Sequence, residues 1–245
     1  MLMKTNSIFK FKQFAVRHGR SSMRVGTDGV LLGAWADVSV CHGVPQANVL
    51  DIGCGCGLIA LMVAQRCPSC HVLGIDIDAP SVLEAKENAA ESPFADRVEF
   101  SLADIRAFGA DSNAGAYSLI LCNPPYYTED TLPPEHRRSV ARNSLHLSFA
   151  GLVRSVCHLL GERGVFAVVI PMAAREEFVA VAMEYDLHLR RECRVQTVSR
   201  KAPKRVLLEF GFQSNSCVTV ETILLQDDAG GRSAEYSALC RDFYL

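Results

Sequence analysis

The chain has almost no net charge: 25 lysines and arginines stand against 27 aspartates and glutamates, leaving −2 with histidine neutral. A uniformly basic or acidic chain is excluded, although the balance says nothing of where the charges sit. No apolar run approaches the ~20 residues that a bilayer crossing needs, and no leader with a charged start and an apolar centre is visible. Neither a membrane span nor export is therefore expected. Met1 to Lys12 has scattered lysines without an apolar centre and is expected to be a frayed or docked arm. Internal repeats, low-complexity tracts and a convincing domain boundary are also missing. What remains is 245 residues, enough for one sizeable domain over 1–245 with a well-buried core.

Cysteine is plentiful, with ten in the chain. Without a secretory leader this number points to reduced thiols in a cytoplasmic location. Cys67-Pro68-Ser69-Cys70 has the spacing of a metal-ligand pair, yet no second Cys or His pair stands at a finger-like distance, so no metal is expected. Several of the others fall in expected strands or helices, where cysteine acts as a small apolar filler.

The charge balance hides an asymmetry. Lys4, Lys10, Lys12, Arg17, Arg20 and Arg24 all precede Asp28, the first acid. Residues 190–205 carry Arg190, Arg191, Arg194, Arg200, Lys201, Lys204 and Arg205 against Glu192 alone. Two basic clusters on a balanced chain suggest contact with a polyanion. The competing explanation for each is an ordinary solvated face.

From about Ala47, apolar runs alternate with helix-patterned segments. Strands are expected over 48–52, 71–77, 97–102, 117–122 and 165–170, with helices over 58–66, 80–90, 149–160 and 173–185. Two further strands, 188–198 and 205–212, have no helix between them and should pair antiparallel. A loop over 227–233 precedes a short C-terminal helix. Alternating strand and helix implies parallel pairing with helices on both faces. The expected fold class is α/β: a Rossmann-like, seven-stranded class I methyltransferase sheet, mostly parallel with an antiparallel final strand.

Asp51-Ile52-Gly53-Cys54-Gly55-Cys56-Gly57 closes the first strand and opens the first helix. Gly53, Gly55 and Gly57 leave room for a ligand to approach the backbone. Leu58 stands where a dinucleotide fingerprint needs its third glycine, which disfavours a nicotinamide cofactor. About twenty residues on, Asp76 ends the second strand, where an acid can accept from both ribose hydroxyls. Asp78 competes for that role. Asp104, ending the third strand, could accept from an adenine amino group, and Asp51 could orient an amine directly or through water. The competing explanation makes Asp76 and Asp104 ordinary strand-ending turn acids, and the donor role is favoured for Asp76.

Asn123-Pro124-Pro125-Tyr126 follows the fourth strand. An exocyclic amine or carboxamide is a poor nucleophile because its lone pair is delocalised. Holding both N–H bonds lets the nitrogen pyramidalise, and the Asn123 side-chain carbonyl and the Pro124 backbone carbonyl suit that task. Two prolines restrict the turn and fix its aim. Tyr126 can stack on the planar group and exclude water, with Tyr127 as a second aromatic. Catalysis would then rest on positioning and desolvation. An isolated Asn-Pro merely starts a turn; behind a glycine loop it suggests methyl transfer from S-adenosylmethionine to a planar nitrogen. A base within nucleic acid would also have to be swung out of its stack.

Phe11 to Phe14, His18-Gly19-Arg20 and Met23 to Trp35 resemble the N-terminal signature of bacterial tRNA1(Val) adenine-N6-methyltransferases. The likeness continues through the glycine loop, Ser92-Pro93, Ala103-Asp104-Ile105 and Asn123 to Tyr127. It extends to Pro203 to Phe210 and to Tyr236 … Asp242-Phe243-Tyr244-Leu245, covering nearly the whole chain. The resemblance divides the domain into an arm and signature segment, 1–37, and a catalytic core with a C-terminal helix, 38–245. It implies methylation of N6 of the adenosine 3′ of the anticodon, with Gly26-Thr27-Asp28 folded over the donor's methionine end. The family's second-strand acid is often Glu, so Asp76 or Asp78 would have a shorter reach to the ribose. Arg137, Arg138 and Arg142 are candidate RNA contacts on charge grounds only. A protein-glutamine methyltransferase acting on a release factor, and an rRNA or DNA adenine methyltransferase, remain open alternatives.

Overall fold

The computed structural model describes residues 8–21, 23–109, 114–124, 147–214 and 217–245. Two short strands, β1 (Ile8–Lys10) and β2 (Ala15–Arg17), pair antiparallel as a separate hairpin. Helix α1 (Thr27–Trp35) follows, then β3 (Asn48–Ile52), α2 (Leu58–Arg66), β4 (His71–Asp76), α3 (Ala79–Ala90), β5 (Val98–Leu102) and β6 (Tyr117–Cys122). Beyond these lie α4 (Phe149–Leu159), β7 (Leu160–Pro171), α5 (Arg175–Glu184), β8 (His188–Gln196), β9 (Arg205–Gly211), β10 (Thr219–Leu224) and α6 (Ala234–Leu239).

The described strands of the main sheet run in the order β10-β8-β9-β7-β6-β3-β4-β5. Their apolar runs are continuous because both faces are covered. Alternate side chains serve opposite cores: Leu119 and Leu121 join the layer with α1 and α2, while Ile120 and Cys122 join the layer with α4 and α5. In β7, Val165, Ala167 and Val169 face the first layer and Phe166, Val168 and Ile170 the second. Phe166, Phe178 and Phe210 are fully buried together in the second. Replacing one of them by alanine would cost roughly 3–5 kcal/mol.

Two expectations are corrected here. The sheet has eight strands rather than seven, and the reversed strand is not the last. β9 is antiparallel to both β7 and β8, whereas β10 adds an edge strand parallel to β8. Most of β10 is exposed, so it carries no apolar signal.

The second correction concerns the thiols. Cys67 and Cys70 are joined by a disulfide across the return from α2 to β4, with Cα atoms 5.5 Å apart. Cys41, from a 3-10 turn over Val38–Cys41, brings its sulfur to the same place, and the three sulfur atoms lie within 4.8 Å of one another. A grouping of this kind can hold a metal ion, so the reason given for expecting none, a missing partner for the pair, falls away. Among the described residues, no helix is long and apolar enough to cross a membrane.

The N-terminal hairpin docks on the C-terminal segment. Lys12 donates its backbone N–H to Phe243 O (2.8 Å) and its ammonium to Arg241 O (2.6 Å). Phe9, Phe11, Phe14, Phe94 and Tyr244 form one aromatic cluster around that joint. The two ends of the chain's sequence signature are thus neighbours in space.

Candidate active site

Parallel strands place their carboxyl ends along one edge of the sheet, and ligands bind beyond that edge. Here β3, β4 and β6 end at a cleft of about 820 Å³. Its walls include Gly53 and Gly55, Asp76 and Asp78, Asp104 and Arg106, with Asn123 and the segment from Met23 to Gly29.

Gly55 (φ 53°) and Gly57 (φ 84°) sit in the left-handed region, which side-chain-bearing residues avoid. They also differ from each other. A Cβ on Gly55 would meet nothing within 4 Å, so its space belongs to the cleft. One on Gly57 would come within 2.6 Å of the Phe100 ring, so that glycine serves packing at the start of α2.

Asp76 and Asp78 are separated by their bonds. The Asp78 carboxylate caps α3, accepting from Ser81 N (3.0 Å) and Ser81 Oγ (2.5 Å). Asp76 instead ties the two loops: its Oδ2 accepts from Gly55 N and its Oδ1 from Asp78 N, both at 2.9 Å. Each oxygen keeps a lone pair, at the mouth of the glycine loop.

Asp104 is gripped by its neighbour. Arg106 Nε and Nη2 reach its carboxylate at 3.0 and 2.5 Å. That hydrogen-bonded guanidinium holds the Asp104 carboxyl below the usual range. Asp28, in the first turn of α1, accepts from Arg205 Nε at 2.9 Å.

Asp51 lies beneath the loop, fully buried, rather than on the cleft wall. Its Oδ2 accepts from Ala60 N (3.1 Å), and its Oδ1 has no partner among the described residues. Burial pushes its carboxyl up to about 7, with the Asp76 charge adding to the rise and the Ala60 bond opposing it.

Asn123 stands at the end of β6 with its Nδ2 3.5 Å from Met23 Sδ. Pro124 is buried behind it. Tyr126 and Tyr127, like Arg137, Arg138 and Arg142, lie outside the described residues.

Sequence reasoning missed what holds the segment facing Asn123. Glu84 in α3 is almost fully buried and accepts from Gly19 N (2.8 Å), Arg20 N (3.0 Å) and Ser21 N (2.9 Å). Burial alone would push its carboxyl up, but the three backbone N–H groups outweigh it and hold the group low. A lone acid in a helix carries no sequence signal for such a task.

The basic clusters are partly spent on the protein itself. Arg17 pairs with Glu91 and Arg20 with Glu87. Arg191 pairs with Glu209 and Glu221 and lies 4.1 Å over the Trp35 ring. Arg194 and Arg175 share Glu192, and Arg205 holds Asp28. Arg200, Lys201 and Lys204 remain exposed on the β8–β9 loop, with no ion pair among the described residues. Since β8 runs the same way as β7 and β6, that loop emerges at the carboxyl edge, beside the cleft.

Four aspartates, Asp28, Asp76, Asp78 and Asp104, line the cleft against Arg24 and Arg106. Such a lining suits a cationic ligand with hydroxyl and amine donors. Residues 37–158 match the methyltransferase small domain model. The chain is 44% identical over 240 residues to the tRNA1(Val) (adenine(37)-N6)-methyltransferase of Phocaeicola vulgatus, covering 98% of each chain. Likeness to the enzyme of that name from Vibrio campbellii is 38% over 97% of this chain and 95% of that one. A predicted O-methyltransferase from Agrobacterium tumefaciens shares the fold, with a TM-score of 0.66, 16% identity, and 88% of this chain and 96% of that one covered.

Proposed function

The chain belongs to the tRNA1(Val) (adenine(37)-N6)-methyltransferase family, and on that premise we propose how its residues divide the work. It is an S-adenosylmethionine-dependent enzyme that methylates N6 of an adenosine in tRNA, the one 3′ of the anticodon in tRNA1(Val). The observation that carries the reading is the juxtaposition of Asn123 with the glycine loop and Asp76 in one cleft.

Gly53 and Gly55 leave the space for the donor, Asp76 receives its ribose hydroxyls, and Asp104 receives its adenine amine while retaining Arg106. Asp28 and the segment before it cover the methionine end. When bound, the donor supplies an electrophilic methyl group on a sulfonium sulfur. Asn123 Oδ1 and the Pro124 carbonyl accept the two N–H bonds of the target amine, which frees its lone pair towards that methyl group. Tyr126 stacks on the base and keeps water out. No side chain needs to remove a proton beforehand; aim and dryness do the work. Asp51 acts from below, by setting the start of α2.

The catalytic core spans residues 38–245, and from the arm and signature segment, 1–37, Met23 to Gly29 close one side of the cleft, the whole acting as one domain in the cytoplasm. The exposed Arg200, Lys201 and Lys204 follow the tRNA backbone next to the cleft, so binding should be phosphate-driven and salt-sensitive.

Transfer of labelled methyl to purified tRNA1(Val) transcript, with nucleosides identified by mass, tests the reading. N6-methyladenosine 3′ of the anticodon is expected. Label in a release factor, with the tRNA untouched, would overturn it in favour of glutamine methylation. Changing Arg200, Lys201 and Lys204 together to Ala should weaken tRNA binding and flatten its log–log salt dependence by roughly 2 to 3, with donor affinity unchanged.

A further inference from the structure

Three cysteines of this chain stand outside everything the cleft requires. Cys41, Cys67 and Cys70 come from a 3-10 turn, the end of α2 and the residue before β4, and all three are wholly buried. Their sulfurs converge within 4.8 Å. Cys67 and Cys70 are bonded, and the Cys70 N–H donates to Cys67 O (3.2 Å), closing the turn that carries them. Their Cα separation of 5.5 Å lies in the ordinary range for a disulfide, so the bond can open and close without moving the backbone far.

We propose that these three cysteines form a buried redox site, in which the Cys67–Cys70 bond is reversibly made and broken and Cys41 is the third, exchangeable thiol. A divalent metal fits the same sulfurs less well. Three thiolates around it leave a net negative charge, and the grouping supplies no fourth ligand. The disulfide is neutral and needs no further ligand.

Arg97 fastens the turn that carries the pair. Its Nε donates to Pro68 O (3.1 Å) and its Nη2 to Ala64 O (2.9 Å), holding the guanidinium on the turn. Its Nη1 is buried without a hydrogen-bond partner among the described residues. Burial, with the Asp37 charge adding to it, pushes the Cys41 thiol up to about 11, so its attack on the bond is slow; Cys67–Cys70 is the pairing the structure holds.

Hydrogen peroxide, small and uncharged, is the oxidant, and it reaches the buried sulfurs when the turn opens locally. One sulfur takes an oxygen as sulfenic acid and releases water; the second thiol displaces that oxygen as a second water, forming the S–S bond. Two electrons pass from the thiols to the peroxide, and two S–H bonds and the O–O bond are broken. A dithiol reverses the reaction by becoming a disulfide itself. The bond braces the joint between α2 and β4, whose far ends carry the glycine loop and Asp76.

The whole chain is titrated with hydrogen peroxide, and in parallel with dithiothreitol, then denatured in an alkylating reagent and weighed. Fully reduced protein takes up ten alkyl groups and the oxidised form eight. We expect a reversible step of two, mapped by peptide to Cys67–Cys70, and a higher melting temperature for the oxidised form. Cys217→Ser, which changes an exposed free cysteine, should keep the step. Cys70→Ser should still lose two thiols, now as Cys41–Cys67, and adding Cys41→Ser should abolish that loss. Ten alkyl groups at every peroxide concentration, or a bond mapped to other cysteines, would overturn the proposal. So would one metal ion per chain that blocks alkylation of these three, which would assign the site to a metal instead.

Discussion

The two sides of the cleft are built differently. On the glycine-loop side each polar group is held by residues close in sequence: Asp104 by Arg106, and Asp78 by Ser81. Asp76 reaches back only 21 positions to Gly55. On the facing side the segment from Met23 to Asp28 is held from afar. Glu84 fixes its approach across more than 60 positions, and Arg205 holds Asp28 across 177. One side is a local motif fixed by strand ends, and the other is assembled only when the tertiary structure is complete. Affinity for the donor should therefore depend on the two sides in separable ways.

The largest effect is expected where both sides meet. Asn123→Ala should lower kcat by roughly a hundredfold to a thousandfold, by analogy with loss of one preorganised hydrogen-bonding group. Donor affinity, measured by calorimetry, should stay within about threefold on that same argument. Substantial residual turnover would remove Asn123 from the amine-holding role.

Asp76→Ala tests the local side. Losing hydrogen bonds to a carboxylate costs about 1.5–3 kcal/mol, so donor binding should weaken by about tenfold to a hundredfold. Glu84→Gln tests the distant side, since an amide turns one acceptor into a donor facing backbone N–H groups. Here we expect a loss of about 1–3 kcal/mol in folding stability, seen in denaturant melts. The Michaelis constant for the donor should rise and kcat at saturation change little. If kcat fell as far as it does in Asn123→Ala, the two sides would not be separable.

The last effect, under the loop, is smallest on turnover and shows instead as a dependence of stability on pH. Asp51 titrates near 7 in the folded protein against an ordinary 3.8. Between pH 4 and 7 the unfolded chain loses this proton first, so the group's contribution to stability falls as pH rises, by at most about 1.4 kcal/mol per pH unit. Below pH 4 the contribution is fully present. Asp51→Asn should therefore gain stability relative to the parent between pH 4 and 7, measured by paired denaturant melts. A flat difference would show that Asp51 is ionised in the folded state throughout.

The same contrast explains what could be read from the sequence. β3 and β6 were expected at the residues where they occur, because apolar runs with both faces buried end sharply at Gly53 and Asn123. β7 begins at Leu160 instead of Val165, since Gly161 to Gly164 look like a turn yet continue the strand. α1 was not foreseen as a helix: Gly29 to Trp35 are all buried, leaving no polar face to reveal a period. Residues lining the glycine-loop side were visible as a motif. Glu84, Met23 and the Arg205–Asp28 pair were not, because no spacing rule joins positions that only folding brings together.

The aromatic joint between the N-terminal hairpin and the C-terminal segment carries a consequence for order in time. Lys12 waits for Arg241, 229 positions later, before it finds its partner. The earliest part of the described chain to leave a ribosome is thus among the last to be seated, and on the cleft's distant side Asp28 waits for Arg205, 177 positions later. A nascent chain would own a complete glycine loop long before it could close over anything bound there.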